Sequence, residues 1–292
     1  MNADPCIHFS HQLYDLLTKM ISQNLTSSIE LGVLFSGGLD SSVITAILTK
    51  LHPAPFQLFV AGIEAAKDIN FARKAAEALN LQLTIQLFTA ADVEEALPTI
   101  LSVLETVDVL HVELAIPLFF AAKCASQFKI TTLFSGQGAD ELFGGYAKYE
   151  KRFLNSEEST LNEMKSDLLT LYDKTLPSMT AIVSHFNARL IVPFCEQPIK
   201  NFADLIPFSC KIAQISKKVI RKRILRLLAR NLNLPSQIAD APKRALQYGS
   251  GTHRILSRLA TSYWLKKNPK LSKRKTRTHA RIEQYLTQFT DT

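Results

Sequence analysis

The chain has 292 residues, 47% of them apolar and 21% charged, with a formal charge of +8. That apolar content excludes disorder as the reading for most of the chain, and the length suits one large domain or two small ones. A basic balance suits a polyanionic ligand such as ATP, pyrophosphate or nucleic acid, without choosing among them.

The opening segment, MNADPCIHFSHQLYDLL, has no basic stretch leading into an apolar run. Residues 8–24 carry apolar side chains at helical spacing, Phe9, Leu13, Leu16, Leu17, Met20 and Ile21 among them. An apolar run over 29–35 stops at Ser36-Gly37-Gly38 and predicts a buried strand. Helical spacing returns over 41–51, a second apolar run covers 57–63, and 68–79 is Ala-rich and helical. Residues 81–88 alternate as a strand, 90–105 and 115–127 read as helices, and 130–134 is a further strand that ends at Ser135-Gly136. The most apolar stretch, 114–122, is broken by Pro117 and is too short to cross a bilayer, so it reads as a buried helix. Strands alternating with helices imply an α/β fold, a parallel sheet with helices on both faces. From about residue 156 strand patterns fade. Residues 157–173, 178–188, 216–231, 252–266 and 278–289 read as helices punctuated by prolines. The expected division is therefore an α/β core over 1–155 and a helical part over 156–292 that completes it.

Ligands of such sheets bind beyond the carboxyl ends of the strands. Two glycine-bearing loops lie there. In the first, Ser36-Gly37-Gly38-Leu39-Asp40-Ser41-Ser42, the glycines permit a tight turn and close approach of an anion. The following helix offers unpaired N–H groups, and the serines add hydroxyl donors. Asp40 would repel phosphate unless it holds a divalent cation bridging the phosphates. The spacing is not that of a Walker A loop, whose lysine is absent. The second loop, Ser135-Gly136-Gln137-Gly138-Ala139-Asp140-Glu141-Leu142-Phe143-Gly144-Gly145-Tyr146, repeats the strand–glycine–helix arrangement. Asp140 can bring a second carboxylate to the same cation. A capped helix with a Gly-Gly turn would explain Ser135 and Gly138, but not the acids, glycines and Tyr146 together.

The first loop resembles the pyrophosphate loop of N-type ATP pyrophosphatases. With the second, which is similar to the signature SGxGxDExFGGY, the chain resembles the synthetase domain of asparagine synthetases, over about residues 8–265. The resemblance implies an ATP-pyrophosphatase fold, with ATP and Mg2+ as cofactors. It implies that Asp40 and Asp140 bind the metal and that Ser36, Gly37, Gly38, Asp40, Ser41, Ser42, Ser135 and Gly136 hold ATP or pyrophosphate. The second strand, near residues 58–62, is implied to touch adenine through its backbone. Lys243, in PKRALQYGSG, matches the catalytic lysine, with Gly249 and Gly251 giving a closing loop. HFNARLIVPF, with Arg189, Pro193 and Phe194, is similar to another family segment.

Two departures stand out. Gln137 takes a position where the family usually has an acid, and an amide cannot act as a base. Either Glu141 or the substrate serves, or the attack needs no base, or the nucleophile is not ammonia; Lys243, Gln137 and Glu141 are the candidate catalytic residues. In ETVDVLHVELAIP, with Glu105 and Asp108 in place, Leu110, His111 and Glu113 stand where asparagine synthetases carry threonines and an arginine implied to hold aspartate. An amino-acid carboxylate generally calls for an arginine or backbone N–H groups.

The expected activity is an ATP-dependent ligase that adenylates a carboxylate, aspartate first, and passes the acyl group to ammonia or an amine. A tRNA-modifying pyrophosphatase and a non-catalytic subunit working with a glutaminase are the alternatives. No glutaminase domain is recognisable, which points to free ammonia or a separate glutaminase subunit. A homo-oligomer is compatible; a membrane and nucleic acid are not expected. The basic cluster of Lys266, Lys267, Lys270, Lys273, Arg274, Lys275 and Arg277 reads as a solvated tail. Cys6, Cys124, Cys195 and Cys210 form no CxxC pair and read as small buried hydrophobes of a cytoplasmic, reducing compartment.

Overall fold

The structure is a computed structural model that describes residues 4–25, 30–52, 54–241, 246–268 and 277–290. The first half alternates helix and strand: α1 (Pro5–Ser22), β1 (Leu31–Leu34), α2 (Leu39–Leu51), β2 (Gln57–Gly62), α3 (Lys67–Ala78), β3 (Leu83–Leu87), α4 (Ala90–Leu104), α5 (Val109–Gln127) and β4 (Thr132–Phe134). There follow α6 (Ala139–Phe143), α7 (Ala147–Phe153), α8 (Glu157–Thr170), a π turn (Leu171–Thr175), α9 (Leu176–Ser184), β5 (Arg189–Ile191) and a 3₁₀ turn (Pro193–Cys195). The chain continues through α10 (Gln197–Leu205), α11 (Phe208–Lys211), β6 (Ile212–Ile215), β7 (Lys218–Arg221), α12 (Arg223–Asn231), α13 (Ser236–Ala239), α14 (Leu246–Gly249), α15 (Thr252–Lys267) and α16 (Thr278–Thr287).

Five strands form one parallel sheet in the order β3-β2-β1-β4-β5. Successive residues of a strand face opposite sides of a sheet, and β2 shows it. Leu58 and Val60 enter a core with α1, α2, α3 and α12, whereas Phe59 and Ala61 enter a second core with α4, α5, α9, α15 and α16. Helices therefore cover both faces, as the alternating pattern predicts. The progression from β1 to β3 runs one way, and β4 then pairs with the other side of β1. The point of reversal lies between β1 and β4, whose loops are the two glycine loops.

The second half departs from its helical reading in two places. Arg189–Ile191 pairs in parallel with β4 as the fifth strand, so the sheet draws on residues beyond 155. Residues 212–221, partly within the expected helix 216–231, form an antiparallel hairpin. α5 also begins six residues before the expected 115, capped by Asp108, whose carboxylate accepts the His111 N–H. It is long and apolar enough to cross a membrane, yet most of it is buried among the core helices. The reading of all four cysteines as unbonded hydrophobes needs correction. Cys6 and Cys210 are fully buried, but they are joined in a disulfide. Cys124 and Cys195 are free.

Candidate active site

β1 carries its chain into the first loop, where Gly37 adopts a left-handed φ of +70°. A Cβ there would lie 2.8 Å from the Ala72 Cα and 3.0 Å from the Phe71 oxygen, so the turn needs glycine both for its dihedral and for its fit against α3. Ser36 is exposed, and its Oγ accepts the Gly38 N–H at 3.3 Å and lies 3.3 Å from Ser41 Oγ. Ser41 Oγ donates to the Gly38 oxygen at 3.2 Å. Ser41 and Ser42 are buried in the first turn of α2. Gly38 caps α2 without a side-chain hydrogen bond, which leaves the first-turn N–H groups for an anion.

The second loop lies directly against the first. A Cβ on Gly136 would come within 2.7 Å of the Ser41 nitrogen and 2.8 Å of the Asp40 carbonyl carbon. Ser135 is buried, and its Oγ accepts the Gln137 N–H at 3.3 Å. Gln137 is half-buried, and its carbonyl faces the Cys195 thiol at 3.8 Å. Burial first, and then the charges of Glu141 and Glu196, push the Cys195 thiol far above its ordinary range. Cys195 therefore stays protonated.

Asp40 and Asp140 converge on one cation, the Lys222 ammonium. Its Nζ lies 2.5 Å from Asp40 Oδ2 and 2.6 Å from Asp140 Oδ1, and Lys222 is only 4% exposed. Gly145 makes room for this contact, because a Cβ would overlap both the Asp140 carboxylate and the Lys222 stem. Arg221 Nη1 donates to the Gly145 oxygen at 2.7 Å, so the hairpin holds the second glycine pair as well. Lys222 sits at a left-handed φ of +52° between β7 and α12. No local pattern marks it. A lysine in a basic run reads as solvated, and only the tertiary fold brings it 182 residues back along the chain to Asp40.

The acids fit a divalent cation. Two hard carboxylate oxygens meeting at one cationic point form the donor set that Mg2+ takes from protein when phosphates supply the rest. Lys222 stands at that point. Among the described residues no group of three or more His, Cys, Asp or Glu side chains could hold a metal alone.

Glu141 is 5% exposed, and its Oε1 accepts the Tyr146 hydroxyl at 2.6 Å. Burial, and then the neighbouring charges of Glu141 and Asp140, drive the Tyr146 phenol far above its ordinary range, so it remains a donor.

The expected substrate segment is paired off. His111 Nδ1 lies 2.7 Å from Asp108 Oδ1, and Glu113, buried on α5, contacts His253 Nδ1 at 2.6 Å. Gly249 presses on the buried Asp68 carboxylate, and the Ser250 oxygen accepts the Ile63 N–H at 3.0 Å. The 249–253 segment thus closes on the end of β2, the expected adenine side. Arg189 is exposed and donates to the Asn24 oxygen, while Phe194 is fully buried beside Phe143. Lys243 lies outside the described residues, as do Lys270, Lys273, Arg274 and Lys275 of the basic cluster.

The family model described as asparagine synthase matches residues 12–191. A putative glutamine-hydrolysing asparagine synthetase of Methanocaldococcus jannaschii is 30% identical over 267 residues, covering 82% of this chain and 49% of that protein. The glutamine-hydrolysing asparagine synthetase of Homo sapiens is 30% identical over 241 residues, covering 80% of this chain and 42% of that protein. The chain thus spans about half the length of the relatives it matches. A solved NMN synthetase from Francisella tularensis superimposes with a TM-score of 0.45 at 13% identity, over 96% of this chain and 92% of that one.

Proposed function

Taking as premise that this chain belongs to the asparagine synthase family, we propose that it is an ATP-dependent carbon–nitrogen ligase. The carrying observation is the juxtaposition at the reversal point of the sheet. Two glycine loops touch there, and Asp40 and Asp140 converge on a single cationic position. A carboxylate oxygen of the substrate attacks the α-phosphorus of ATP, giving an acyl-adenylate and pyrophosphate. Ammonia or an amine then attacks the acyl carbon and AMP leaves with the bonding pair. Aspartate is the first acid to consider.

Ser36, Gly37, Gly38, Ser41 and Ser42, with the uncapped start of α2, cradle the pyrophosphate. Ser135 and Gly136 close the second side. Asp40 and Asp140 would hold Mg2+, which supplies charge neutralisation for the leaving pyrophosphate. Lys222 yields its place between them and can turn to the phosphates. Lys243 is assigned to the charge that builds on the α-phosphate. Gln137 can orient a nucleophile by hydrogen bonding but cannot take its proton. With Asp140 assigned to the metal, Glu141 is the other carboxylate of the same loop that can, and Tyr146 holds one of its oxygens. Ammonia would come from solution or from a separate glutaminase subunit, in the cytoplasm.

The test incubates the protein with Mg-ATP, aspartate and ammonium and follows pyrophosphate, AMP and asparagine together, with Asp40→Ala as control. Equal yields of the three, abolished in the variant, are expected. Glu113 places a buried negative charge at a position the family resemblance assigns to the substrate. The assay therefore includes neutral and amine-bearing acids beside aspartate. Absence of AMP with every acid would reject ligase activity.

A further inference from the structure

The hairpin that delivers Lys222 is fastened at both ends to the start of α1. At its entry, Cys210 in α11 is bonded to Cys6 in the first turn of α1, 204 residues away in sequence. At its exit, Arg223 forms an ion pair with Asp4, the residue capping α1. The same guanidinium reaches the Ser209 oxygen at 3.1 Å and Cys6 Sγ at 3.3 Å. Arg223 directly follows Lys222. One small region around the disulfide therefore fixes the β6–β7 hairpin at its entry and exit, and Lys222, the residue just before the exit tie, is the cation lying between Asp40 and Asp140.

We infer that the Cys6–Cys210 disulfide is a redox-sensitive clamp that holds Lys222 in the divalent-cation position. In the oxidised state the two carboxylates are occupied by the chain's own ammonium. Reduction by a dithiol breaks the S–S bond. The dithiol gives up two electrons and two protons, Cys6 and Cys210 become thiols, and the dithiol closes to its own disulfide. Of its two ties to the start of α1 the hairpin then keeps only Arg223, and Lys222 leaves the acids more readily. Disulfides in a cytoplasmic setting are usually transient and regulatory, which suits this assignment. The metal part of the inference rests on the proposed ligase reading; the mobility of Lys222 does not.

The experiment uses the whole protein, purified without reductant and divided into untreated and dithiothreitol-treated portions. Thiol titration in denaturant should count two thiols before treatment and four after, since the chain has four cysteines. Acetylation of Lys222 by a water-soluble acylating reagent, followed by peptide mass spectrometry, should be several-fold faster after reduction and faster again with added Mg2+. Mg-ATP binding by calorimetry should tighten several-fold in the same portion. Cys210→Ser should acetylate like the reduced protein and ignore dithiothreitol, whereas Cys124→Ser should keep the full response. Equal acetylation of Lys222 in both portions, or four thiols without treatment, would overturn the clamp. If acetylation responds but Mg-ATP binds neither portion, the clamp on Lys222 stands and the ligand assignment falls.

Discussion

Lys222 concentrates the electrostatics of the site in one side chain. A buried ammonium facing two carboxylates is costly to desolvate, and removing it leaves the acids to repel each other. Lys222→Met should therefore lose about 3–5 kcal/mol of stability in metal-free buffer. Added Mg2+ should restore much of that loss and give a larger rise in Tm than in the parent protein. Equal responses to Mg2+ would mean that the acids do not share a cation site. The buried phenols make a separate pH-dependent prediction. Tyr149 donates to Asp167 at 2.5 Å and Tyr285 to Glu94 at 2.8 Å. Burial first, then these hydrogen bonds and carboxylate charges, raise both phenols above their ordinary range. A raised folded-state value contributes stability that is fully present below the unfolded phenol value of about 10 and lost as pH rises beyond it. Urea unfolding between pH 9 and pH 11 should thus show a steeper loss for the parent protein than for Tyr149→Phe.

Among the elements, the two glycine loops differ in what they demand of their neighbours. At Gly136 an added methyl meets backbone of the first loop at 2.7 Å, whereas at Gly38 it meets only Ser36 Oγ at 3.3 Å. Gly136→Ala should cost roughly 1–3 kcal/mol by forcing the loops apart. Gly38→Ala should cost less than about 1 kcal/mol, the difference of a helix cap. Thermal melts of the two variants side by side check this ordering. β1, β2 and β4 were legible because short apolar runs stop at or beside glycine, and both loops were legible because their residues are contiguous. β5 was not, because it begins with an exposed arginine and directly follows the helical pattern read over 178–188. The β6–β7 turn was hidden for a different reason. Ser216 and Lys217 both take positive φ, the conformation that Asn-Gly normally announces, without either residue in the sequence. The start of α5 could have been found from Asp108, an N-cap residue placed three before His111, whose N–H its side chain accepts. Lys222 could not, since its role is created entirely by contacts across the fold.

On the scale of the whole molecule, the disulfide ties the first helix to the region just before α12, and α1 and α12 pack in the same core. Closing so long a loop restricts the unfolded chain, so Cys6→Ser should lower stability by about 2–4 kcal/mol. Urea unfolding of the parent protein in dithiothreitol should match the variant without it. The two cores also divide the candidate site's support. Asp40 and Ser41 ride on α2 in one core, while Glu113 rides on α5 in the other. Packing changes on either face of the sheet should therefore be felt at its carboxyl edge.

The placement of β5 has a consequence for biosynthesis. While the ribosome has delivered β1 through β4 but not yet residues 189–191, the outer edge of β4 has no partner, and its sequence is Thr-Leu-Phe. An apolar edge with open N–H and C=O groups is a template for pairing with another chain. Translation that stalls or ends between β4 and β5 would release a product prone to aggregate. A fragment of residues 1–155 should accordingly collect in the insoluble fraction, and one extended through Ile191 should be more soluble.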